Sequence, residues 1–241
     1  MNDLNNKNSV IVDCRACDKT VYSLENMGFE VIPTVKIDNL YNAVATHADM
    51  QIHYMGKNGF VCASEAYDHY KSHIMSVPLI KGSKPIGSKY PDDVLYNAAS
   101  FGDYVICNAA CTAIEILETY KSMGKRILNV RQGYSKCSVC IADRNSIITS
   151  DKGIARIAEK NKIDVLLIDV GHIELTGMDY GFIGGATGLI KENVLAVNGD
   201  INTHPDSDRI KQFLKDRAVE IVCLKRGIMT DIGSILSKID I

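Results

Sequence analysis

The sequence carries no basic excess. Its 241 residues hold 27 Lys and Arg against 29 Asp and Glu, a formal net charge of −2, whereas a general nucleic-acid footprint needs a clear positive surplus. No run approaches 18 consecutive apolar residues, so no stretch suits a membrane-spanning helix. The opening MNDLNNKNS lacks the apolar centre of a secretory signal. The eight cysteines are scattered through apparent strands and helices rather than set out as a disulfide framework. That distribution predicts reduced thiols and a cytoplasmic protein. What is present is a 46% hydrophobic fraction, enough at this length for a substantial core.

The clearest local pattern runs from Cys137 to Ile168. It reads as strand, tight turn at Asp143-Arg144-Asn145, strand, helix and strand. Ser150 can cap the helix, whose apolar positions Ile154, Ile157 and Ala158 follow helical spacing, and Val165 to Ile168 suits a strand covered on both faces. A unit of this size cannot bury its own apolar surface, so copies must stack.

Such copies recur. The reading gives one domain, 1–241, of five ββαβ units at about 47–81, 93–130, 137–168, 181–224 and 9–36, the last lacking its opening strand. Asp93 follows Asp49 by 44 residues, and Cys137 follows Asp93 by 44. In the third unit, Thr112 and Glu115 have the spacing of a capping box. The leftover strand, 231–236, is what the 9–36 unit lacks. Pairing it with Ser9 to Asp13 would close a ring, as propellers close by joining their termini in one blade.

Five ββαβ units closed in a ring resemble the pentein fold. This α/β propeller belongs to guanidino-group-modifying enzymes such as dimethylarginine dimethylaminohydrolases, arginine deiminases and agmatine deiminases. The resemblance covers nearly the whole chain and extends to uncharacterised bacterial proteins with that fold. It implies that Asp49, in ADMQIHYM, and Asp93, in PDDVLY, stand where the hydrolases carry acidic residues for the substrate guanidinium. A carboxylate suits that task because it accepts the planar donors in paired, charge-assisted hydrogen bonds. Two motifs depart from the family. After Gly227-Ile228-Met229-Thr230, where the relatives place a nucleophilic cysteine, this chain has Asp231, a far weaker nucleophile. At the head of the fourth unit, where they place a base histidine, it has Gln132-Gly133-Tyr134-Ser135.

Strand alternation supplies further candidates. Read as a strand, His47 to Met55 puts His47, Asp49, Gln51 and His53 on one face, and Asp93 shares a face with Asn97. Cys137 or Cys140, but not both, faces the channel if their segment is a strand. His172 could complete a Cys and His pair, the alternative being that both thiols are small core residues. Cys137-x-x-Cys140 and Cys14-x-x-Cys17 have zinc-like spacing, but the first pair would splay and the second has no partner pair, so no metal is expected. Gly181 to Gly188, GFIGGATG, precedes a strand rather than a helix. It reads as a close backbone approach lining the channel through Gly184, Gly185 and Thr187, not as a phosphate loop. Asp200 and His204 read as helix-capping residues.

Two functions follow. In the first, a small guanidino- or amine-type cation binds in an acidic channel among His47, Asp49, Asp93, Asn97, Gly184, Thr187 and Asp231, with no cofactor. If catalytic, the protein would be a hydrolase or transferase acting on guanidino or amidino C–N bonds through a rerouted cysteine. In the second, the propeller is a non-catalytic protein or ribonucleoprotein interaction module. No nucleic-acid or membrane partner is expected, and the oligomeric state is open.

Overall fold

A computed structural model of the protein describes residues 8–74 and 77–239. The chain begins with β1 (Ser9–Val12), α1 (Asp18–Asn26) and β2 (Glu30–Pro33). Next come α2 (Ala48–Gln51), β3 (Ile52–Tyr54), β4 (Phe60–Cys62), α3 (Tyr67–His73) and β5 (Leu79–Lys81). The third unit holds β6 (Ala99–Phe101), β7 (Tyr104–Cys107), α4 (Ile114–Ser122) and β8 (Arg126–Asn129). The fourth has α5 (Ser135–Ser138), β9 (Cys140–Asp143), β10 (Ser146–Thr149), α6 (Lys152–Lys160) and β11 (Asp164–Leu167). The fifth has β12 (Thr187–Lys191), β13 (Val194–Val197), α7 (Ser207–Lys215) and β14 (Glu220–Cys223), followed by β15 (Leu236–Ser237).

These strands form five separate three-stranded sheets: β15-β1-β2, β3-β4-β5, β6-β7-β8, β9-β10-β11 and β12-β13-β14. Each repeats one pattern, an antiparallel first pair and a parallel second pair bridged by a helix. The middle strands are the driest, because a central β-branched run can be covered on both faces. Ile147 and Ile148 of β10 are wholly buried, whereas the third strand β11 is half exposed along most of its length. Val165 to Leu167 therefore forms an outer edge, not the doubly covered strand its apolar run suggests.

The apolar clusters lie between units rather than within them. One joins the third unit to the fourth through Phe101, Ile106, Ile147 and Ile154. Another joins the fourth to the fifth through Ile148, Ile168, Leu195 and Ile210. A third joins the fifth to the first through Ala196, Leu224, Val10 and Leu24. The largest spans the first three units. The first and last strands meet as expected but more briefly: Ile11 pairs with Leu236 and Val10 with Ser237, while 231–235 is not strand.

Three local expectations are corrected. His47 to Met55 is not one strand, because α2 makes a helical turn before β3. Backbone bonds from Met50 N to the His47 carbonyl and from Asp49 N to the Gly233 carbonyl hold that turn. Asp151, not Ser150, caps α6, accepting from Gly153 N at 2.7 Å and Ile154 N at 2.8 Å, an arrangement worth about 1 kcal/mol. Thr112 and Glu115 make no capping box. Thr112 donates to the Asn108 carbonyl, and Glu115 accepts from Ser83 N in the preceding connection.

Candidate functional site

The short helical turns at the heads of the second and fourth units carry Asp49 and Cys137 to a common point. Cys137 is buried, and its thiol donates to Asp49 Oδ2 at 3.1 Å. The same oxygen accepts from Ser234 Oγ at 2.7 Å, and Ser234 in turn accepts from Lys136 Nζ at 3.0 Å. Asn97 fixes the cysteine from the other side. Its Oδ1 accepts from Lys136 N (2.7 Å) and Cys137 N (3.2 Å), and its Nδ2 lies 3.1 Å from the sulfur. Burial and the carboxylates of Asp49 and Asp231 push the Cys137 thiol well above its ordinary pKa, so it stands here as a thiol.

Four carboxylates are gathered around this point. Asp13, at the end of β1, accepts from Arg15 (3.0 Å) and Thr46 (2.8 Å) and lies 3.8 Å from His47 Nε2. His47 Nδ1 lies 3.8 Å from Asp231 Oδ1. Asp231 also accepts from Gly233 N and Phe182 N, both at 2.9 Å. Burial raises its pKa, with His47 opposing the rise and Asp49 adding to it. Asp93 accepts from Tyr134 OH at 2.7 Å, and Tyr41 donates to Tyr134 at 3.3 Å. Asp49 Oδ1, Asp93 Oδ1 and His47 Nδ1 are buried with no hydrogen-bond partner among the described residues. Polar groups buried in that condition are costly unless something else meets them.

Two cavities flank the constellation. One of about 250 Å³ is lined by Tyr41, Val44, His47, Tyr134, Cys137, Leu175, Met178, Asp179, Tyr180, Phe182 and Asp231. A smaller one of about 90 Å³ includes Asp49, His53, Lys136 and Thr187 in its wall. Gly184 and Gly185 let the chain close between them. A Cβ on Gly184 would sit 2.2 Å from the Lys136 carbonyl oxygen, and one on Gly185 would sit 2.0 Å from Asp231 Oδ1.

Of the expected residues, His47, Cys137 and Asp231 line the larger cavity and Asp49 and Thr187 the smaller. Asn97 and Gly184 build the floor between them, and Asp93 reaches the larger cavity through Tyr134. Cys140 is a core residue against Ile148 and Ile183; burial lifts its thiol to about 11, against the Thr187 hydroxyl and Lys136. His172 lies elsewhere, exposed, 5.4 Å edge-on to His204 and beside a different surface hollow. The histidine in the cavity with Cys137 is His47. Asp200 caps a short 3-10 turn through Asn202 N, and His204 Nδ1 accepts from Asp206 N at 3.0 Å. Asp13, Tyr134, Lys136 and Ser234 were not singled out from sequence. Only the 44-residue spacing, which leads to Cys137, points towards Tyr134 and Lys136.

The fold is pentein-like. It is similar to the dimethylarginine dimethylaminohydrolase of Pseudomonas aeruginosa complexed with citrulline, with a TM-score of 0.58, 6% identity and coverage of 90% of this chain and 91% of that one. It is also similar to the substrate-bound agmatine deiminase of C. jejuni (TM-score 0.57, 10% identity, coverage 98% and 95%). A third likeness is to the inosamine-phosphate amidinotransferase of Streptomyces griseus (TM-score 0.55, 10% identity, coverage 93% and 90%). At such identities the likeness concerns the fold alone. No curated protein matches the sequence. The match of residues 11–236 to its model places the chain in a family described as a family of unknown function, DUF6873, and the chain belongs to that family.

Proposed function

We propose that this pentein-like protein binds a small cation of guanidino or amine type among His47, Asp49, Asp93 and Asp231, entering by the larger cavity, whose wall holds His47 and Asp231 and adjoins Asp49 and Asp93 through Cys137 and Tyr134. The observation that carries the reading is the pair of orphan carboxylate oxygens, Asp49 Oδ1 and Asp93 Oδ1, whose other oxygens bond Cys137 and Tyr134 in the wall of the larger cavity, Asp49 itself lining the smaller one. Uncompensated carboxylates in a dry site favour an occupant that brings positive charge and several donors, and a guanidinium brings both. The fold neighbours, two of them a deiminase and an amidinotransferase by name, are consistent with that class of ligand.

The resemblance implies that the relatives' cysteine and histidine positions fall at Asp231 and Gln132-Gly133-Tyr134-Ser135, which favours binding over turnover. Any turnover would be rerouted through Cys137, with His47 nearby. We further infer that the five units close into a ring. Support comes from the β15–β1 pairing and from apolar clusters that link each unit to the next and the fifth to the first.

The test is a thermal unfolding series with methylguanidine, agmatine and arginine at matched ionic strength. At a hundred times its Kd a ligand bound only by the folded state adds about 2.7 kcal/mol. The expected result is a rise in Tm that Asp93→Asn abolishes. No rise with any cation at millimolar concentration overturns the reading.

A further inference from the structure

We propose that the occupant is an amphipathic cation, an alkyl- or aryl-substituted guanidine, rather than an amino acid. This rests on the cation reading above and specifies what lies beyond the charged head. The larger cavity has two unlike ends. His47, Cys137 and Asp231 form the inner one. Tyr41, Met178 and Tyr180 stand at the mouth, 36%, 51% and 40% exposed. Large apolar side chains left bare around one opening mark a surface that meets an apolar partner.

The wall charges point the same way. Asp179 and Asp231 line the cavity, and no Lys or Arg does. A ligand carboxylate would enter beside two aspartates, and His47, the one basic side chain in the lining, already lies 3.8 Å from both Asp13 and Asp231, an arrangement that like-charge repulsion and desolvation both oppose. Lys136 turns away into the smaller cavity, where it donates to Ser234.

The outer wall is also held in place. The segment that supplies Leu175, Met178, Asp179 and Tyr180 is pinned at its base. Glu174 N donates to the Met229 carbonyl at 2.9 Å, Asp231 N to the Glu174 carbonyl at 2.8 Å, and Gly181 N to the Ile173 carbonyl at 2.7 Å. The apolar mouth and the acidic floor are thus parts of one structure, joined through Asp231.

Calorimetric titration with methylguanidine, n-butylguanidine and arginine tests this. Burial of methylenes tightens binding by up to about fourfold each, so butylguanidine is expected to bind at least tenfold tighter than methylguanidine. Arginine is expected to bind at least tenfold more weakly than butylguanidine. Met178→Ala, at an exposed position, should cut the butyl-to-methyl affinity ratio severalfold. Equal affinity for the two alkylguanidines, or for arginine and butylguanidine, overturns the inference and leaves the cation reading standing. Failure of all three to bind overturns both.

Discussion

The Cys137 thiol donates to Asp49 Oδ2 across 3.1 Å, although 88 residues separate the two in sequence. Twice the 44-residue spacing is 88, so equivalent positions of two units meet at one point. The contact also sets the chemistry of the cysteine, because a thiol held against a buried carboxylate resists losing its proton.

Iodoacetamide labelling with peptide mapping reads that directly. Cys17 should react fastest, being exposed and having a lowered pKa: partial burial raises it, but bonds to Thr20 and the Lys19 amide, with the charge of Lys225, together bring it down. Exposed Cys14 and Cys223 should follow, and Cys137 should be nearly inert at pH 8. Asp49→Asn removes the carboxylate while keeping its shape, and should speed Cys137 alkylation by roughly an order of magnitude. An unchanged rate would mean that access alone, not charge, protects the thiol.

Gly185→Ala probes the floor of the site. The added Cβ would fall 2.0 Å from Asp231 Oδ1 and 2.2 Å from its Cγ, so the carboxylate must move. Asp231 accepts from two backbone amides, which makes that movement expensive. Urea denaturation should show a loss of about 1–3 kcal/mol, together with weakened cation binding. Full retention of both would show that Asp231 is not tightly placed.

The sequence made the repeat legible because middle strands such as Ile147-Ile148 and helices such as α6 obey simple periodicities. The 44-residue spacing of Asp49, Asp93 and Cys137 supported the repeat, and the family resemblance pointed to the two aspartates. The short turns at the heads of the units were not legible. His47 to Met55 alternates polar and apolar residues as a strand would, yet a bond from Asp49 N to Gly233, far along the chain, helps select a helical turn. That turn, and not a shared strand face, brings His47 into the cavity with Cys137, whereas sequence reasoning left Cys137 and Cys140 open and offered His172 as the partner. Asp13 and Ser234 carry no local signal, because their roles arise only when the first unit and the C-terminal segment fold against the second.

His53 makes stability depend on acid. It is buried, its Nε2 lies 2.7 Å from Tyr120 OH, and burial, with Lys136 and Lys125 adding, lowers its pKa from 6.5 to about 3. Between those values the unfolded chain binds a proton that the folded chain refuses, so this contribution to stability is lost as pH falls below 6.5. The loss is on the order of 2 kcal/mol by pH 5. Urea midpoints at pH 7 and pH 5 should therefore fall less in His53→Gln than in the parent. Equal falls would assign the acid sensitivity to other groups, among them His204, whose pKa is also lowered by burial.

The pairing of β15 with β1 tests ring closure. Val10 and Ile11 are buried, and on one side their strand partners among the described residues are Ser237 and Leu236. Deleting 236–241 should remove those partners from a dry strand and destabilise the protein by about 2 kcal/mol or more. A circular permutant separates this local loss from the topology. Its ends are joined by a short Gly-Ser linker, and it is opened between Glu192 and Asn193 in the exposed β12–β13 turn. Because β1 and β15 already lie side by side, the permutant should fold cooperatively with native circular dichroism. It should lose only the modest stability expected for cutting one hairpin turn. If it fails to fold while the parent is stable, the terminal pairing is a surface association rather than the closing blade of a ring.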